Sequence, residues 1–203
     1  MRVFENTVFV VMADHGDLFG EWGLWGHQGA IHPDLARVPL VISYPWEASA
    51  VETKPIGLES LHDHLLDIGS GTKTDGHLPV SGEAFIEYHG WDTHQATEPW
   101  KLYESQTAQQ WGLYEAALVS GDYILRWRAN DDQFLYTCEN PQERSVHEAH
   151  PDVSDLMRER ITEMLGNPER THTAYRRQVG DTSDIFGGKD GEVVDRLEHL
   201  GYL

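Results

Sequence analysis

Thr7-Val8-Phe9-Val10-Val11-Met12-Ala13-Asp14-His15-Gly16-Asp17 sets the expectation for the fold. Its first seven residues form a nearly continuous apolar run, rich in β-branched side chains and without alternation. Such a run predicts a strand buried on both faces, as in the middle of a parallel sheet. The four residues that follow are polar with one glycine. In open α/β sheets ligands gather beyond the carboxyl ends of strands, so these side chains stand where chemistry is usually done.

A glycine-rich loop comes next, from Gly20 to Gly29, and leads into Pro33–Arg37, a short helix with proline in its first turn. Val38–Tyr44 predicts a second apolar strand, closed by Pro45. Between Gly57 and Ile68 the apolar residues Leu58, Leu61, Leu65, Leu66 and Ile68 fall near helical spacing, and Gly69 and Gly71 stop the element. The polar stretch Ser70–Ser81 reads as a loop. Beyond it the texture changes to short strands at Ala84–Tyr88, Tyr114–Val119, Tyr123–Trp127 and Gln133–Cys138. Turn signals at Ser120-Gly121-Asp122 and Ala129-Asn130-Asp131-Asp132 make the last three an antiparallel meander. A helix over Pro151–Leu165 carries Val153, Leu156, Met157, Ile161, Met164 and Leu165 on one stripe. Residues 167–189 are polar and poorly patterned, and Val193–Leu200 forms a short amphipathic end.

The chain therefore divides into an α/β part over residues 1–81, a small antiparallel α+β part over 82–166 and a tail over 167–203. One feature is odd: a central parallel strand needs neighbours on both sides, yet few parallel partners follow Thr7–Ala13. The sheet reads as half missing.

Composition bounds the function. With 203 residues, folding can bury roughly 70% of the unfolded chain's surface, enough for a core without staples. The single Cys138 permits no intrachain disulfide, and a reducing cytoplasm is the expected compartment. No apolar run approaches the about 20 residues needed to cross a bilayer, and the N-terminus lacks the pattern of a secretory signal. The 34 acidic residues outnumber the 15 Lys and Arg, giving a net charge of -19. That charge repels phosphate backbones and anionic headgroups, which argues against nucleic acid and membrane partners. The acids are spread along the chain, as on a solvated surface or one adapted to high salt, where carboxylate repulsion is screened. A salt-adapted chain should melt at a higher temperature in molar KCl than in dilute buffer. An unchanged melting temperature would refute the adaptation.

Asp14 and His15 are adjacent at a strand end, where both side chains can reach one cation. Two ligands do not complete a site, since Ca²⁺ takes about six to eight and Zn²⁺ about four, and spacing alone favours a solvated turn over a metal site. His27 lies among small residues, able to hydrogen-bond an anionic oxygen or simply to be a loop histidine.

Asn6–Asp17, followed by Phe19–His27 and Ala36–Val41, resembles the second conserved block of the sulfatases, a family of the alkaline-phosphatase superfamily. Leu135–Glu143 is similar to the family's LYDL-x-x-DP-x-E segment, and Leu200-Gly201-Tyr202-Leu203 to a common sulfatase terminus. The resemblance implies an α/β fold: a partial alkaline-phosphatase-like sheet with helices, followed by a small antiparallel sheet and a C-terminal helix. It implies metal ligation by Asp14 and His15, with a divalent cation, usually Ca²⁺, as cofactor and a sulfate ester as substrate. The family lysine that contacts sulfate maps to Gln28, nine residues before Arg37, with His27 beside it. Gln28 carries no positive charge, so protonated His27 takes over the contact.

Family catalysis uses a formylglycine made from the Cys or Ser of a C/S-x-P-x-R motif, its hydrate attacking sulfur, together with an N-terminal pair of Asp ligands. Neither precedes Asp14 here. Ser43-Tyr44-Pro45-Trp46-Glu47 has glutamate where arginine belongs, Cys138-Glu139-Asn140-Pro141 places proline one residue late, and Thr97–Lys101 has neither group. The resemblance thus implies the C-terminal portion of a sulfatase, inactive alone, with a complementing N-terminal chain as partner. The alternatives are a phosphodiesterase or other phosphoryl-transfer enzyme of the same superfamily, and a non-catalytic remnant.

Overall fold

The computed structural model describes residues 3–27, 29–46, 48, 50–72, 77–90, 112–139 and 145–181. Gln28, the Thr97–Lys101 segment, the stretch 140–144 and everything after residue 181, including the expected amphipathic end, lie outside the described residues.

The fold is mixed α/β with several antiparallel sheets. The largest sheet contains the expected three-stranded meander and extends it by one strand, β5 (Glu83–Tyr88). β5, β6 (Glu115–Ser120), β7 (Tyr123–Arg128) and β8 (Gln133–Thr137) pair in chain order, all antiparallel. The register sets Leu118 opposite Leu125 and Leu125 opposite Leu135, so these side chains share a face with Ala116 and Trp127. Helix α3 (Pro151–Leu165) packs over that face against β6 and β7. Together with Tyr114, Met157 and Ile161 they make the main core. The apolar stripe of α3 is narrower than its spacing predicts: Met157 and Ile161 are buried, whereas Leu156 is 67% and Met164 53% exposed. Leu156 is one residue, or about 100° of helix, behind Met157, and the narrow sheet below leaves it in solvent.

The opposite face of the meander is unusual. Glu115 stands across from Arg128, and Ala117 from Arg126. Glu115, Arg126 and Arg128 are all buried. Glu115 accepts from Arg126 Nε, and its second oxygen from Arg128 Nε at 3.3 Å. The guanidinium of Arg126 also lies 4.5 Å above the Trp22 ring, which ties this face to the N-terminal part of the chain.

That N-terminal part corrects the first expectation. β1 (Phe9–Met12) pairs with β4 (Leu40–Ser43), but antiparallel, as a two-stranded ribbon. No other strand pairs with either among the described residues. Alternation results along β4 and through most of β1: Val10, Leu40 and Ile42 are partly buried, while Phe9, Val11 and Val41 point outward, Val11 at 64% and Val41 at 60% exposure, and Met12 at the strand end is exposed as well. The alkaline-phosphatase-like parallel sheet is therefore not seen in the described residues. An apolar run signals burial on both faces only if strands exist to flank it, and here two strands satisfy only each other.

Helix α1 (Pro33–Ala36) forms as expected, and α2 (Glu59–Gly69) starts slightly later than its pattern suggests. The glycine-rich loop hides a further hairpin, β2 (Leu18–Phe19) with β3 (Trp25–Gly26). Residues 168–181, expected to be unpatterned, form helix α4 (Pro168–Asp181). Its start is written in Asn167-Pro168: the Asn167 side chain accepts from the N–H groups of Glu169 and Arg170, and proline occupies the first helical position.

Candidate metal centre

The loop after β1 is pinned to the fold by its glycine. Gly16 N–H donates to the Leu35 carbonyl of α1 at 2.9 Å, and a Cβ at residue 16 would overlap the Asp34 carbonyl oxygen. Only glycine allows that approach, so His15 and Asp17 project from a fixed backbone. A second constraint comes from the small hairpin. Leu18 pairs with Gly26 and Phe19 with Trp25, so continuing the register one residue outward sets Asp17 opposite His27. The tight turn between the strands uses Gly20 at φ 119° and, less comfortably, Trp22 at φ 52°.

These constraints converge three side chains. His27 Nδ1 donates to Asp17 Oδ1 at 3.2 Å. The His15 and His27 rings lie 4.4 Å apart between centroids, tilted by 31°. One ligating atom from each of His15, Asp17 and His27 lies within 4.8 Å of the others, and all three side chains are exposed. His15 Nδ1 is 2.9 Å from the Gly16 carbonyl oxygen. A carbonyl only accepts, so Nδ1 carries the hydrogen and Nε2 presents its lone pair.

Of the residues singled out in the sequence, His15 and His27 are brought together. Asp14 is beside them but turned back: its Oδ1 accepts from the His15 N–H at 2.9 Å, and Oδ2 is 3.7 Å from His15 Nε2. The backbone N–H groups of His15 and of Asp14 itself, followed by the neighbouring imidazoles, hold its carboxyl below the ordinary aspartate value. Nothing in the sequence singles out Asp17 from the other polar residues after the first strand. Its role rests on a hairpin register that two-residue strands do not announce, although Asp-His-Gly-Asp already held both carboxylates.

Two carboxylates and two imidazoles do not fit Ca²⁺, a hard cation that takes about six to eight oxygens. Cys138 favours its thiol form over the thiolate. Burial and the charge of Asp122 raise its thiol pKa, with only Arg37 opposing, and its Sγ faces the Gly121 carbonyl at 3.7 Å.

Behind the loop, His32 caps α1: its fully buried ring accepts from the Asp34 N–H through Nδ1 at 3.1 Å. Burial pushes its pKa down, so the ring is neutral and Nε2 carries the proton. Its edge packs on Trp22 at 4.4 Å, placing it on the same indole as Arg126 and coupling the loop to the meander.

No protein-family model matches the chain, and no curated protein matches it. No helix among the described residues is long and apolar enough to cross a membrane.

Proposed function

We propose that this chain supplies the cation-binding and ester-facing part of a sulfatase-type hydrolase. The observation that carries the reading is that His15, on the glycine-pinned loop with Asp14 hydrogen-bonded beside it, is met by His27 from across the small hairpin, within the block that resembles the sulfatases. A divalent cation at this loop would reverse the sign of a strongly acidic surface, which an anionic sulfate ester otherwise avoids. The chain's own residues then bind and orient: the loop holds the cation, and His27, which faces it across the β2–β3 hairpin, meets the ester with Gln28, its neighbour in sequence.

The nucleophile in this reading comes from a complementing N-terminal polypeptide carrying C/S-x-P-x-R. The ribbon β1–β4 supports such a partner, because the outward row Phe9, Val11 and Val41 is apolar and accessible. A strand-rich partner would cover it.

The test is complementation. The chain alone should not hydrolyse an aryl sulfate, and mixing it with a polypeptide bearing the formylglycine motif should produce turnover that Asp14→Ala abolishes. Turnover of phosphate but not sulfate esters would transfer the reading to phosphoryl transfer. No turnover with any complement, together with a monomeric chain that binds no divalent ion, would mark an inert fold.

A further inference from the structure

We propose that His15, Asp17 and His27 form a binding site for a zinc-class divalent ion, with His27 as a metal ligand. The donor set decides the class. Two imidazole nitrogens and one carboxylate suit Zn²⁺ and its neighbours Co²⁺ and Ni²⁺, whereas Ca²⁺ wants oxygens throughout. Three protein ligands leave at least one coordination position open, which is the pattern of a catalytic zinc rather than a structural one.

The geometry is close to what such an ion requires. Tetrahedral zinc ligands stand roughly 3.3 Å apart, as follows from bonds of about 2.0–2.1 Å. The His27 Nδ1 to Asp17 Oδ1 separation is already 3.2 Å. An ion entering there replaces the hydrogen between them, and the imidazole proton of His27 moves to Nε2. His15 closes the third side. Its Nδ1–H is held by the Gly16 carbonyl, the backbone contact that orients many metal-binding imidazoles and leaves Nε2 for the ion. All three ligand atoms lie within 4.8 Å of one another, so exposed side chains need only small rotations to close on an ion.

The backbone beneath them is set in advance. Gly16 is locked against α1, and the Leu18–Gly26 and Phe19–Trp25 pairs hold residues 17 and 27 across from each other. Asp14 stays outside the ligand set, its Oδ1 engaged by the His15 N–H, and contributes negative charge beside the ion. This inference rests on three ligands in the fold of this chain and not on the hydrolase reading, from which it differs in giving His27 to the ion rather than to the ester.

The test uses the full 203-residue chain stripped with chelator and titrated with Zn²⁺, Co²⁺ and Ca²⁺ by calorimetry, with Co²⁺ also followed by its visible absorption. We expect one Zn²⁺ per chain, a Co²⁺ spectrum of tetrahedral intensity, and Ca²⁺ binding much weaker than either. His27→Ala and Asp17→Asn should each lower Zn²⁺ affinity at least about tenfold. His62→Ala, at an exposed histidine hydrogen-bonded to its neighbour Asp63, should change it by less than about threefold. Circular dichroism confirms that each variant is folded. Zn²⁺ binding that survives His27→Ala, or no saturable Zn²⁺ binding, overturns the proposal. So does Ca²⁺ binding tighter than Zn²⁺ and lost in Asp14→Asn, a result that leaves the hydrolase reading standing.

Discussion

Replacing Glu115 by alanine is expected to lower unfolding free energy by about 3–5 kcal/mol, read as a fall in the urea midpoint with an unchanged slope. The side chain is 3% exposed and accepts from both Arg126 and Arg128, which are themselves buried. Truncation leaves two guanidiniums in a poorly solvated layer without their counter-charge. That loss is a large share of the about 5–15 kcal/mol by which domains are stable. Glu115→Gln keeps an acceptor and the shape of the side chain, so its loss should be smaller than that of the alanine variant. Arg160→Ala provides the contrast. Its bond to Glu163 is exposed and its bond to Glu83 only part-buried at the rim, so the change should stay within about 1 kcal/mol. Equal effects at Glu115 and Arg160 would show that burial on this face is not what makes the Glu115 network matter.

Ile161→Ala should cost about 2–5 kcal/mol in the same measurement. Ile161 is fully buried between α3 and the meander, in the cluster that includes Leu118, Leu125, Leu135 and Met157. A cavity opens there because a helix held by several neighbours cannot collapse onto one missing side chain. Leu156→Ala on the same helix should change stability by no more than about 0.5 kcal/mol, since Leu156 is mostly in solvent. If Leu156→Ala proves as costly as Ile161→Ala, the rotation of α3 on the sheet is wrong.

The two predictions also separate what periodicity can and cannot carry. Turn residues at Gly121 and at Asn130–Asp132, with β-branched and aromatic runs between them, made the meander legible, because neighbouring antiparallel strands need only local signals. The stripe on α3 was legible as a helix but not in width, since width depends on the surface beneath it. Helix α4 is not legible from hydrophobic period although its cap is written in Asn167-Pro168, because its composition is polar and caps are short signals.

At the candidate site, Asp14, His15 and His27 stood out from their residue types and from their place after an apolar strand. Their grouping was a different matter. Asp17 joins His27 through a hairpin of two-residue strands, and His15 turns toward them because Gly16 is pressed against α1.

By itself, then, the sequence determined the antiparallel meander, the helix laid on it, the strongly acidic surface and the loop where ligating side chains are concentrated. These follow from local backbone preference, hydrophobic period and charge, all of which act over a few residues. Only the tertiary structure decided that β1 and β4 pair antiparallel with one face in solvent, that Glu115 lies buried between two arginines, and that Asp17 rather than Asp14 meets the two histidines. Each of those depends on register and close approach between segments distant in the chain, where shifting a strand by one residue turns every side chain to the other face.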